Sequence, residues 1–151
     1  MPDELAELLD IAIYKEIASQ AFYDTGARKT PDPGARKLME ELAVEELKHS
    51  QRLKDIKERG LDKSGWRRDE VPNLMVSEYL TGGEALEGAG LQNTLLFAMK
   101  REQQSVEFYS RLMSVMRDET AKRLCEGLVH EELRHKFRLE KFYDDLFYGE
   151  D

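Results

Sequence analysis

Apolar residues recur at three- and four-residue spacing in four long runs of this chain, the period of an amphipathic helix. In residues 3 to about 29, Leu5, Leu8, Leu9, Ala12, Glu16, Ser19 and Tyr23 fall on one face. From about 34 to 59 the face is Leu38, Met39, Leu42, Glu46, His49 and Leu53, and Gly60 is a natural C-terminal stop. A third run starts near 89 to 91 and ends near Arg117, with Leu91, Leu95, Ala98, Glu102, Ser105, Tyr109 and Leu112 together. After a short turn at Asp118-Glu119-Thr120, the fourth reaches about Leu146 and aligns Leu124, Cys125, Leu128, Glu132, His135 and Leu139. Pro31-Asp32-Pro33-Gly34 reads as the first turn, with Asp32 as N-cap and Pro33 at the first helical position. Residues 60 to 88 carry glycines at 60, 65, 82, 83 and 88, together with Trp66 and Pro72, and read as a long crossover. Short turns make antiparallel hairpins, so the pattern predicts an all-α four-helix bundle in one domain, 1–151: hairpin 3–59, crossover 60–88, hairpin 89–146.

Polar residues interrupt these inward faces, and they do so twice in the same way. Glu45-Glu46-Leu47-Lys48-His49 returns 86 residues later as Glu131-Glu132-Leu133-Arg134-His135. Each copy has a Glu thirty residues upstream of the second Glu, Glu16 and Glu102, and each of those opens a phrase ending in Phe-Tyr, at Phe22-Tyr23 and Phe108-Tyr109. Between residues 35 and 53 and their partners at this offset, ten of nineteen positions are identical. The hairpins are therefore expected to be related by an approximate two-fold axis that brings the two Glu-x-x-His motifs face to face.

Glu46 and His49, three apart on a helix, project from one face a turn apart, and Leu42 and Leu53 on either side turn that face inward. Four carboxylates converging inside a bundle repel one another and cost several kcal/mol each, on the order of the penalty for any uncompensated buried charge. Two divalent cations bring four positive charges against the four negative ones. One Glu from each of two helices plus Glu-x-x-His from each of the other two is the donor pattern of ferritin-like di-iron and di-manganese proteins. On this assignment Glu16 and His49 serve one metal and Glu102 and His135 the other, while Glu46 and Glu132 bridge. Oxygen donors with one nitrogen per ion suit iron, or manganese, better than a closed tetrahedral zinc site, although zinc is a possible substitute.

Glu-x5-Phe-Tyr followed by Glu-Glu-x-x-His, each twice with a glycine-bearing crossover between, resembles the di-iron domain of the rubrerythrins, a family similar to the ferritins in fold. The resemblance implies a di-iron centre that reduces hydrogen peroxide with electrons from an external donor such as a rubredoxin-like protein, often within a homodimer. The chain departs from the family pattern in two places. With one cysteine it lacks the four-cysteine rubredoxin-type domain, and Ser105 stands where the family has an extra Glu one turn after the third-helix ligand. A ferroxidase or iron-storage protein that oxidises ferrous iron with dioxygen is the alternative reading.

Composition narrows the field further. Charged residues make up 36% and hydrophobic residues 40% of 151, with a net charge of -8; an acidic chain without a basic face is not expected to bind duplex nucleic acid. The start has no basic region followed by an apolar run, and no stretch reaches eighteen apolar residues, so neither a signal peptide nor a membrane span is expected and the cytoplasm is the expected location. Cys125 excludes an internal disulfide and reads as a buried, inert thiol. His130 falls almost opposite Glu132 and reads as a surface residue. Glu45 and Glu131 precede the bridging Glu by about 100° of helix rotation and read as solvated groups or as neighbours of the ligands. Tyr23 and Tyr109 lie about 10 Å along the axis from Glu16 and Glu102; they can hydrogen-bond to ligands or their neighbours, carry an electron, or simply fill the core. Tyr14, Ile17, Ala18 and Ala21 form a second apolar stripe on the first helix where the third has Lys100, Gln103, Gln104 and Glu107, so the crossover or a second subunit is expected to cover it.

Overall fold

A computed structural model describes residues 2–59, 90–117 and 119–149. They form four helices: α1 (Pro2–Lys29), α2 (Pro33–Arg59), α3 (Leu91–Val115) and α4 (Glu119–Phe147). The crossover expected over 60–88 lies outside the described residues, as do the side chains of Leu5 and Leu8. The turn between α1 and α2 is built as its sequence dictates. Asp32 Oδ2 accepts from the Ala35 N–H at 2.8 Å and so caps α2, while Pro33, which has no N–H to leave unsatisfied, begins it.

The second hairpin turns two residues earlier than the sequence suggests. α3 stops at Val115 instead of running to Arg117, because Met116 adopts an extended backbone (φ -85°, ψ 142°) and its N–H returns to Met113 O at 3.2 Å. That conformation buries the Met116 side chain, whose Sδ lies 3.7 Å from Cys125 Sγ. α4 begins at Glu119, inside the stretch read as a turn.

α1 packs along α2, and α3 along α4. The two hairpins then face each other with α1 antiparallel to α3, since Tyr23 meets Glu102 while Glu16 meets Tyr109. α2 and α4 are antiparallel by the same logic: Glu131 meets His49 and Glu45 meets His135. Every one of these contacts occurs twice with the halves exchanged, which is the approximate two-fold relation.

Two apolar clusters, each drawn from all four helices, fill the ends of the bundle. One contains Leu9, Ile13, Leu53, Leu112, Cys125 and Leu128. The other contains Phe22, Met39, Leu42, Leu95, Ala98 and Leu139. Between them lies a layer of charged side chains, sealed at both ends. The apolar stripe of α1 is not covered by the described helices, with Tyr14 63% and Ile17 40% exposed. Among the described residues no helix is long and apolar enough to cross a membrane.

Candidate metal centre

Each helix contributes one Glu to the middle layer, and α2 and α4 add a His. Glu16, Glu46, Glu132, Glu102, His49 and His135 are all buried, none more than 2% exposed. Their donor atoms fall into two overlapping groups. Glu16, Glu46, His49 and Glu132 form one, and Glu46, Glu102, Glu132 and His135 the other, with the atoms of each group within 4.8 Å of one another. Glu46 and Glu132 belong to both.

The imidazoles are oriented for this arrangement. His49 Nδ1 lies 3.5 Å from Glu16 Oε2, 3.4 Å from Glu46 Oε1 and 3.3 Å from Glu132 Oε1. His135 Nδ1 lies 3.3 Å from Glu46 Oε1, 3.6 Å from Glu102 Oε1 and 3.4 Å from Glu132 Oε1. The two rings stack nearly parallel (8°) with centroids 5.8 Å apart.

These residues fit a pair of metal ions. Both oxygens of Glu46, one oxygen each of Glu16, Glu102 and Glu132, and Nδ1 of both histidines are buried without a hydrogen bond. Buried polar atoms are nearly always satisfied, so orphans converging from six side chains call for a partner. Two cations with these donors would satisfy all of them and neutralise the carboxylates together.

The outer nitrogen of each imidazole is held by the opposite half. Glu131 pairs with His49 Nε2, and Glu45 lies 3.0 Å from His135 Nε2. Arg52 and Arg138 reach the same carboxylates, at 3.3 Å and 3.2 Å. Through its hydrogen bond to His49, Glu131 is held down at a pKa of about 2, and His135 lowers Glu45 in the same way. An Arg–Glu–His chain thus runs from the surface to each Nδ1 and fixes the ring so that this nitrogen faces the layer. Replacing Glu131 with Gln is expected to weaken metal binding about 10- to 100-fold, the usual cost of losing such a partner. Calorimetric titration of the metal-free protein checks this, and Glu45→Gln is expected to behave alike.

The tyrosines also act across the halves. Tyr23 OH donates to Glu102 Oε1 and Tyr109 OH to Glu16 Oε1. Burial, reinforced by the neighbouring carboxylates, raises both phenols well above their ordinary pKa, so each remains a donor. Each ring packs edge-on against the Phe before it, at 5.4 Å and 5.0 Å.

Ser105 donates to Arg101 O at 3.0 Å, so it serves its own helix and brings no carboxylate to the layer. Cys125 is buried, and burial raises its thiol to about 12. His130 is exposed.

The sequence reading passed over Lys15. This side chain is fully buried, and its Nζ lies 3.2 Å from Glu16 Oε1 and 3.2 Å from Glu132 Oε2. Burial pulls its pKa down, but Glu16 and then Glu132 outweigh that, and the ammonium is held protonated. Its counterpart Arg101 is buried too, donating to Ser19 Oγ at 3.3 Å and lying 5.0 Å over the Phe22 ring. The signal was present in the sequence, since a basic residue directly precedes the upstream Glu in both halves.

Comparison with known proteins agrees with this geometry. Residues 1–57 match the rubrerythrin family. A hypothetical protein from Pyrococcus furiosus is 26% identical and superposes with a TM-score of 0.71, covering 97% of this chain and 92% of its own. A two-domain protein from Anabaena variabilis, with DJ-1/ThiJ/PfpI-like and ferritin-like domains, superposes at 0.78 with 16% identity, over 99% of this chain and 42% of its own. No curated protein matches. The chain is thus similar to the rubrerythrin family over residues 1–57, and its helices have a ferritin-like fold.

Proposed function

We propose that the protein is a di-iron oxidoreductase of rubrerythrin type, which reduces hydrogen peroxide to water with electrons from an external donor. The observation that carries this reading is the pair of overlapping Glu/His donor groups, sealed between two apolar clusters and sharing Glu46 and Glu132. A bound pair of ferrous ions would supply two electrons and act as a Lewis acid on the oxygen–oxygen bond. The chain's own residues prepare the place. Glu45 and Glu131 fix the imidazoles, and Tyr23 and Tyr109 each hold one oxygen of a terminal carboxylate, leaving its other oxygen to the layer. The apolar ends keep bulk water out, and full burial of the donors favours a small oxidant over a large substrate. A rubredoxin-like protein suits the role of donor. The exposed stripe on α1 supports assembly as a homodimer.

Ser105 favours a second reading. Without a further carboxylate on α3, the layer has the symmetric donor set suited to a ferroxidase that oxidises ferrous iron with dioxygen for storage. Anaerobic loading with two ferrous ions per chain, then stopped-flow mixing with peroxide or with dioxygen, separates the two. Faster oxidation by peroxide, with two irons consumed per peroxide, is expected. Faster oxidation by dioxygen overturns the peroxidase reading in favour of the ferroxidase.

A further inference from the structure

We propose that Lys15 is a resident cation of the charged layer that makes the two metal positions unequal, so that the position lined by Glu102 and His135 fills before the one lined by Glu16 and His49. This inference rests on the two-metal reading of the layer and adds an order of loading to it.

The approximate two-fold relation makes the six ligands equivalent in pairs, and Lys15 breaks that equivalence. Its ammonium contacts Glu16 Oε1 and Glu132 Oε2, both members of the first donor group. Only Glu132 is shared with the second group. Glu16 Oε1 also accepts from Tyr109, and Lys15 Nζ lies 4.9 Å over that tyrosine's ring. One carboxylate oxygen is therefore engaged by two donors on the Glu16 side. On the other side, Glu102 Oε1 accepts from Tyr23, while Arg101 reaches Ser19 and stacks over Phe22. A compact ammonium on a flexible stem can follow the carboxylates inward, whereas a planar guanidinium is suited to lie over an aromatic ring.

Charge sets the direction. Taken by themselves, four ionised carboxylates and the Lys15 ammonium carry three net negative charges. A first dication leaves one negative charge where two would remain without Lys15, so the second ion is drawn in less strongly than it would be without that ammonium. Lys15 also competes directly for oxygens of the Glu16 position. At a few ångströms in a protein interior, one unit charge alters affinity by about tenfold or more.

The test uses the full chain, stripped of metal, with manganese(II) or zinc(II) as probe. With one equivalent added, anomalous diffraction is expected to find the ion at His135, and the His49 position is expected to fill only with excess metal. Calorimetry is expected to resolve two affinities at least about tenfold apart. Lys15→Met keeps the length and removes the charge, and it is expected to raise the weaker affinity and narrow that gap. An ion that divides evenly, or goes first to His49, overturns the proposal without any variant. So does a gap that survives Lys15→Met. Two ions bound equally leave the two-metal reading standing, whereas no ion bound by the unaltered chain removes both.

Discussion

Replacing Glu132 with Ala is expected to reduce bound metal from two ions per chain to at most one, whereas Glu16→Ala is expected to keep one. The contrast follows from where the two carboxylates lie. Glu132 Oε1 is 3.3 Å from His49 Nδ1 and 3.4 Å from His135 Nδ1, so its loss strips a ligand from both positions. Glu16 Oε2 lies 3.5 Å from His49 Nδ1 and belongs to the first donor group alone. Losing a shared ligand should cost more than about a hundredfold in affinity at each position, beyond the 10- to 100-fold typical of a partner one step further out. The same substitution leaves Lys15 with Glu16 for support, adding an unbalanced charge to the layer. Metal analysis after loading and desalting reads the outcome, with the metal-loaded unaltered chain as reference. Two ions retained by Glu132→Ala would show that Glu132 does not bridge. One ion lost with Glu132→Ala and two with Glu16→Ala would reverse the assignment. Glu46→Ala is expected to follow Glu132→Ala, since Glu46 Oε1 stands 3.4 Å and 3.3 Å from the same two nitrogens.

The repeat at an offset of 86 made the inward residues of the layer legible in the sequence, because hydrophobic periodicity assigns a face and the repeat marks which polar residues on it recur. The Asp32 cap was legible for a similar reason: only one local geometry uses a short acidic side chain followed by proline there. Partners across the bundle were not. Tyr23 shares a helix face with Glu16, yet its hydroxyl goes to Glu102, because α1 and α3 run antiparallel and place the end of one phrase beside the start of the other. The roles of Glu45 and Glu131 depend on the same cross-pairing of α2 with α4. Lys15 was overlooked because lysine defaults to solvent, and its burial is decided by two carboxylates, one of them 117 residues away in the chain. Met116 likewise left its helix for a packing partner that local propensity does not encode.

Loading the layer with metal is expected to release protons and to strengthen steeply as pH rises. In the metal-free protein, burial alone would lower the pKa of His49, but the adjacent carboxylates of Glu131, Glu132 and Glu16 raise it to about 12. His135 is raised as well, by Glu102, Glu132, Glu45 and Glu46 acting against burial. Desolvation, and then repulsion from Glu132, raises Glu46 well above the carboxylate range and Glu102 to about 7. Glu16 and Glu132 go the other way: burial would raise both, but Lys15 together with His49, and for Glu132 also His135, outweighs it and holds them ionised. A metal needs imidazole nitrogen and carboxylate oxygen free of protons, so near neutrality both imidazolium protons, that of Glu46 and part of that of Glu102 must leave as the ions enter. Protons are then competitors, and lowering the pH weakens binding. With at least two protons displaced per pair of ions, the drop from pH 8 to pH 6 is expected to exceed about a hundredfold. Calorimetry in two buffers of different ionisation enthalpy counts the protons directly. A release near zero would mean that the imidazoles are already neutral before metal arrives, and that the carboxylates are kept apart by something other than the protons on His49, His135 and Glu46.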